Sequence, residues 1–465
     1  MELHSVIGTA SKNYTGFNVA TIFAPTVAPS TINYQTTEGF STVVLSNLPK
    51  VANLSVRITL ITNSAQEIWT VDNVTLFGRK ELTSTWDGTA WSNGQPTSGV
   101  KAILDADYST GAQGNLLGCK CQVNAGKTLT IDPATYAVIE SDLQSSGTIV
   151  VENTGSLVQR NDFAVNSGNL IVKRTTAPMK LYDYTYWSSP VGGQTLTNLS
   201  PQTSPDRYYA FNPTSGNWQF TLGSTVMAPG KGYIVRSPES FTATPTVYNA
   251  QFAGSNNNGF IQTPIAIGTS TWNLIGNPYA SAIDADAFLG FSSNIGLISG
   301  TIYLWTHNTP LANNVYTIND YAVYNALGGV GTAAVNLGVN NTIPTGKIAS
   351  GQGFFVQGLA NGNATFNNTM RVAGNNAEFF RNQSVTTSES GLERNRIWLN
   401  LSNTQGAFKQ TLVGYVQNAT NDLDRDFDGT TLNAGNVINF YSLCQNQLLA
   451  IQGRLCHLMK MIVFR

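Results

Sequence analysis

Residues 176–380 repeat themselves, and that constrains the fold more than anything else in the chain. "YTYWSSPVGG" (184–193) answers to "TWNLIGNPYAS" (271–281). "RYYAFNPTSGNWQ" (207–219) answers to "TIYLWTHNTPLANNVYTIN" (301–319), and "VMAPGKGYIVRS" (226–237) to "KIASGQGFFVQG" (347–358). Each copy reads as an aromatic strand, a proline turn, a second aromatic strand and a Gly-x-Gly turn that feeds a third strand. A duplication of this size predicts two superposable β units. The pairs Gly230/Gly232 and Gly351/Gly353 suit equivalent turns that need positive φ or close backbone approach. "PGKGY" looks superficially like a phosphate loop, but no Ser or Thr follows the lysine and a strand comes next, so it reads as a structural turn.

The flanking segments alternate with the period of two expected of half-buried strands. In residues 1–80, Val56, Ile58 and Leu60 alternate with polar residues, and "WTVDNVTLFG" does so again. Its "VDNVTLFG" resembles the closing strand of a jelly roll; eighty residues are too few for eight strands, so this reads as the C-terminal part of one. Residues 81–175 carry short strands (128–131, 136–139, 148–151) set off by Gly126, Asp132-Pro133, Gly147 and Gly155. That texture predicts a short parallel β-solenoid, with Trp86 and Trp91 capping its open end or forming a sugar-stacking pair. "NQSVTTSESGLERN" lies within a linker placed at 381–395, and alternation resumes over 396–454 in what reads as a truncated β-sandwich. The expectation is an all-β chain throughout.

Composition narrows the function. Only 11% of residues are charged and the net charge is −1. This excludes the electrostatic footprint of a nucleic-acid binder or an anionic-membrane binder. No stretch approaches the ~18 apolar residues of a membrane helix. Solubility falls to Asn, Thr, Ser and Gln, a balance typical of extracellular all-β proteins. Cys119 and Cys121 fall on one face of a strand, where a bridge would be strained; they read as packing thiols. The opening "MELHSVIGTASKNY" has no basic region, apolar core or cleavage site, so Met1 is expected to be internal to a longer gene.

The ordered phrases "TSTWNLIGNPYASAID", "IASGQGFFVQG", "RIWLNL", "GYVQNATNDLDRDFDG" and "LLAIQGR" resemble the large cell-surface and secreted proteins of Bacteroidota exported by the type IX secretion system. The resemblance spans roughly 80–454 and implies a modular exoprotein with a signal peptide upstream and a sorting domain downstream. In that group the last phrase runs on into a Leu-Pro-Phe-Asp-like stretch. Here "LCHLMKM" follows, and back-translation shifted by one base can be read as Ala-Leu-Pro-Phe-Asp-Glu-Asn. Residues 455–465 are therefore expected to be an out-of-frame tail that does not integrate into the final module.

Catalysis finds little support. His4, His307 and His457 lie far apart and offer no Ser-His-Asp order, while Asp284 and Asp286 sit where a short helix would start, as N-capping predicts. The run Asp422, Asp424, Asp426, Asp428 before Gly429 is the candidate metal site: alternate carboxylates in a glycine-ended loop suit a hard cation such as calcium, although Arg425 interrupts and no twelfth-position Glu follows. A solvated acidic turn is the other reading. Trp187, Trp218, Trp272 and Trp305 recur in the duplicated region and, with Trp86 and Trp91, are the candidates for stacking on pyranose rings; the same recurrence suits core aromatics. No cofactor is required beyond a candidate calcium ion. The expected function is that of a non-catalytic extracellular or outer-surface protein, adhesive or glycan-binding, with polysaccharide or host-cell glycans as partners. The alternative is the accessory portion of a secreted glycoside hydrolase or protease whose catalytic domain precedes Met1.

Overall fold

A computed structural model describes residues 2–8, 41–45, 70–77, 81–306, 321–332, 343–377, 394–402, 408–431 and 439–455. The chain divides into two compact units, Met1–Leu82 and Thr83–Arg465. In the first, Glu2–Gly8 pairs antiparallel with both Ser41–Leu45 and Thr70–Phe77. The remaining features belong to the second unit.

Residues 100–175 wind into a short parallel β-solenoid of about four turns. Three stacks of strands form because every second residue points inward and each coil lays its inward residue on the one before. One ladder runs Tyr108, Leu129, Ile149, Leu170. The others run Ala102, Cys121, Leu143 and Leu116, Ala137, Leu157. All of these side chains are buried. At the first coil, Trp86 and Trp91 pack on Tyr108 with ring centroids 5.5 Å away in each case. At the last, Asn169–Thr175 pairs parallel to Thr148–Val151 on one side and antiparallel to Asn249–Asn256 on the other. The solenoid sheet thus continues into a strand of the duplicated region.

The duplication builds one topology twice. In the first copy the sheet order is Tyr184–Trp187, Tyr233–Arg236, Tyr208–Asn212, Asn217–Phe220. In the second it is Trp272–Gly276, Gly353–Gly358, Ile298–Trp305, Tyr321–Asn325, with Gly328–Val330 added at the edge. The first strand of each copy is followed by a short capped helix, Leu196–Leu199 after Thr195 and Ala285–Leu289 after Asp284. The Gly-x-Gly turns are equivalent: Gly230 has φ 78° and Gly351 φ 73°.

Those turns also join the copies reciprocally. Ser188 N donates to Gly351 O at 2.8 Å, and its counterpart Gly276 N donates to Gly230 O at 2.9 Å. Gln352 bridges to Trp187, and Lys231 to Ile275. Such an exchange of like contacts is what two copies about a local twofold axis would make.

Buried arginines tie the solenoid to the second copy. Arg371 donates to Leu157 O at 2.7 Å and to the Asn258 and Asn368 side-chain oxygens, with its guanidinium 4.8 Å from the Tyr279 ring centre. Arg174 donates to Asn376 O at 2.8 Å. Burial pushes both guanidinium groups below the ordinary arginine range.

The described residues of 394–455 form one sheet. Arg394–Ser402 pairs antiparallel with Phe408–Val416, which pairs parallel with Gln447–Leu455. The opposing layer is the sheet of the second copy: Leu412, Val416, Ala450 and Ile451 pack with Tyr303, Val323, Leu327 and Val330. A sandwich is completed across two segments that the sequence presents as separate modules. Leu455, expected to lie in the tail, pairs with Val416 in the last sheet; residues 456–465 lie outside the described residues, as does the linker up to Glu393. Among the described residues no helix is long and apolar enough to cross a membrane.

Candidate functional site

The six tryptophans are not equivalent surfaces. Trp86 is 7% exposed and Trp187 2%; both sit in one hydrophobic core, where Trp86 Nε1 donates to Asp107 O at 3.0 Å. Trp91 is half-buried against that core. Trp272 is half-buried, 4.7 Å edge-on from Tyr303, and Trp305 stacks on Tyr186 at 5.6 Å and donates to Tyr184 O. Trp218 differs, at 40% exposed.

Strand register corrects the idea that tryptophans recur at equivalent places. Trp187 pairs with Tyr233 and its counterpart Ile275 with Phe354. By the same register Trp272 corresponds to Tyr184, Trp305 to Phe211 and Trp218 to Tyr321. Three of the four positions keep an aromatic ring in both copies, and none keeps tryptophan in both.

Trp218 belongs to a face that sequence reasoning missed. The hairpin Tyr208–Asn212/Asn217–Phe220 pairs Tyr209 with Phe220 and Phe211 with Trp218. Alternation puts all four rings on one side of the sheet. Ring centroids lie 6.4 Å apart in the first pair and 5.3 Å in the second. Phe220 is 49% exposed. The hairpin tip is pinned, since Thr269 N donates to Thr214 O and Ser270 N to Pro213 O at 3.2 and 3.0 Å. The rim is polar: Arg207 pairs with Asp206 at 2.7 Å, and Tyr209 Oη donates to Asp206 O at 2.9 Å. Nearby, burial pushes the Tyr184 hydroxyl up to about 12. The signal was legible in "RYYAFNPTSGNWQF", where a Pro/Gly turn between alternating aromatics places them on a common face.

The acidic run lies in one loop, yet its carboxylates serve different donors. Asp424 accepts from Thr420 N and Oγ1, and Asp428 accepts from Asp424 N at 2.7 Å and Gly453 N at 2.9 Å. Asp422 accepts from Gln445 Nε2, and Asp426 pairs with Arg425. Arg425 in turn donates to Ile298 O and Leu289 O of the second copy. Burial raises the Asp428 carboxyl above its ordinary value. No group of three His, Cys, Asp or Glu that could hold a metal ion occurs among the described residues. In this arrangement the four carboxylates turn to separate donors, and through Arg425 the loop links the last sheet to the second copy.

Asp284 is the helix cap its position predicts, accepting from Ala287 N at 3.0 Å and pairing with Lys347; Asp286 accepts from Tyr324 Oη. His4 lies in the first unit, and His307 and His457 lie outside the described residues. Burial pushes the Cys121 thiol up to about 12, which makes it inert.

Fold and site together define an all-β protein in which a parallel solenoid runs into a duplicated, reciprocally joined β unit whose first copy exposes Trp218 and Phe220. The chain belongs to the family DUF8693, a domain of unknown function, whose model matches residues 81–461. No curated protein and no solved structure matches the chain.

Proposed function

We propose that the chain is a non-catalytic, adhesive part of a modular extracellular or cell-surface protein, and that carbohydrate is its ligand class. The observation that carries this reading is the open aromatic hairpin at Trp218 and Phe220. Rings held on a rigid strand pair, with a charged rim, supply apolar stacking area at little entropic cost, and nearby polar groups can meet hydroxyls. The low charge and the abundance of Asn, Thr and Ser suit an exported protein, and the resemblance to type IX exoproteins points to the outer surface. A glycan array probed with the full chain tests the binding. Retention on a restricted set of glycans is expected; uniform failure across neutral, acidic and sulfated glycans would sink it. Export is tested separately, by locating the native gene product in cell-surface and medium fractions.

A further inference from the structure

The two copies present the same sheet face, and among the described residues only the second copy's face is covered by another sheet. In the second copy Tyr303, Trp305, Tyr321 and Val323 occupy the positions that Tyr209, Phe211, Trp218 and Phe220 occupy in the first. On the second copy the C-terminal sheet sits over Tyr303 and Val323, which are 0% and 4% exposed. Their counterparts differ sharply: Tyr209 is half-buried and Phe220 is 49% exposed.

The chemistry of the two faces has diverged with their use. In the covered seat Val323, Leu327 and Val330 meet Leu412, Val416 and Ile451, with Tyr303 in the same cluster and Trp398 and Phe427 of the docked sheet packed against it. Its Tyr303 hydroxyl reaches the docked segment at Thr430 O, 2.9 Å away. The open face has Phe220 in place of Val323. Its Tyr209 hydroxyl already donates to Asp206 O within its own turn, so the bond that fastens the sheet to the second copy has no equivalent. Seating another protein sheet there would also desolvate the Arg207–Asp206 pair at the rim, a cost that burial of an ion pair seldom recovers. A sugar chain leaves that rim wet, uses its hydrogen-bonding capacity, and lays ring C–H groups on aromatic faces.

We propose that the first copy's face formed by Tyr209, Phe211, Trp218 and Phe220, edged by Arg207 and Asp206, is a stacking platform for a polysaccharide chain built of pyranose rings. The proposal rests on the carbohydrate reading above and locates it on one face. The experiment is affinity gel electrophoresis of the full chain in neutral, acidic and sulfated polysaccharides, followed by titration calorimetry with the polymer that retards it. Phe220→Ala and Trp218→Ala are each expected to weaken binding by about tenfold or more, the size of an interface hot spot. Phe220→Tyr should retain binding, and Leu443→Ala, an exposed change in the C-terminal sheet, should leave it unaltered. Phe220 carries the most weight, since Trp218 also touches Tyr186 and Phe355; melting curves establish that each variant is folded. If wild-type chain binds and both alanine variants bind equally well, the platform is wrong, and the carbohydrate reading then rests on the measured binding and not on this hairpin. If wild-type chain is retarded by no polymer, both fall. Concentration-dependent self-association that Phe220→Ala abolishes would assign the face to a protein partner and overturn the proposal.

Discussion

Substituting Gly232 with alanine tests the reciprocal joint between the two copies. A Cβ there would lie 2.6 Å from Leu274 Cγ and 2.9 Å from Ile275 O. The carbonyl is backbone and cannot swing aside, so the strands must part or the turn must shift. Gly232 N also donates to Leu274 O at 3.1 Å, and the same shift lengthens that bond. Overpacking typically costs about 1–3 kcal/mol, and partial loss of a buried hydrogen bond adds about 1 kcal/mol. Gly232→Ala is therefore expected to destabilise by roughly 2–4 kcal/mol. The control is Gly99→Ala, where nothing lies within 4 Å of the added methyl; it should be neutral or slightly stabilising through the unfolded chain. Gly353→Ala is the mirror test and should be milder, since its nearest atom is Tyr186 Cβ at 3.0 Å. Urea titration followed by near-ultraviolet circular dichroism, which reports the clustered tryptophans and tyrosines, reads all three variants. If Gly232→Ala and Gly99→Ala share a midpoint, the two copies are not joined as described.

Arg371→Lys should destabilise by about 2 kcal/mol or more, because one ammonium cannot reach Leu157 O, Asn258 and Asn368 together; a melting temperature equal to wild type would contradict this. Asp428→Ala strands the Asp424 and Gly453 amides and should cost about 1–3 kcal/mol, whereas Asp422→Asn at the exposed end of the loop should stay within about 0.5 kcal/mol. Millimolar calcium should leave the wild-type melting temperature where chelator leaves it; a rise would mean the loop rearranges to gather its carboxylates. Burial pushes the Lys409 ammonium down from 10.5 to about 8. The unfolded chain then binds the extra proton between those values, so stability should rise with pH across that window, and Lys409→Met should flatten the rise in pH-dependent urea midpoints. Cys121 should resist alkylation at mildly alkaline pH in the folded protein and react on unfolding; stoichiometric native labelling would contradict its burial.

Much of the architecture was legible as local pattern. Solenoid coils declare themselves by short apolar strands between glycine corners, as at 128–131 and 148–151, because each coil repeats the same inward alternation. The duplication declared two like β units because like sequences meet like constraints, with the Gly-x-Gly turns at equivalent places; the helix Leu196–Leu199 and the shared strand order came only with the structure. Asp284 as a cap needed only its own neighbours. The acidic run was different. Asp422 to Asp428 specify a charged loop, but which way each carboxylate turns depends on amides such as Gly453, which lies 25 residues on.

What the sequence determined by itself is the class, all-β with a solenoid and a doubled unit, since strand period, turn residues and repetition are local quantities. Tertiary structure alone decided which faces remain open. Trp218 and Tyr321 are register equivalents, as are Phe220 and Val323, and no local pattern separates the covered face from the uncovered one. The difference arises because the sheet of residues 394–455 settles its Leu412, Val416 and Ile451 side on the second copy and leaves Ile397, Leu399 and Leu401 exposed on the other. There Tyr303 can bond Thr430 and aliphatic chains interlock, while on the first copy the tyrosine hydroxyl is already engaged and a charged pair holds water at the rim. Burial is a property of the pair of surfaces that meet, and a single strand's sequence contains only one of them.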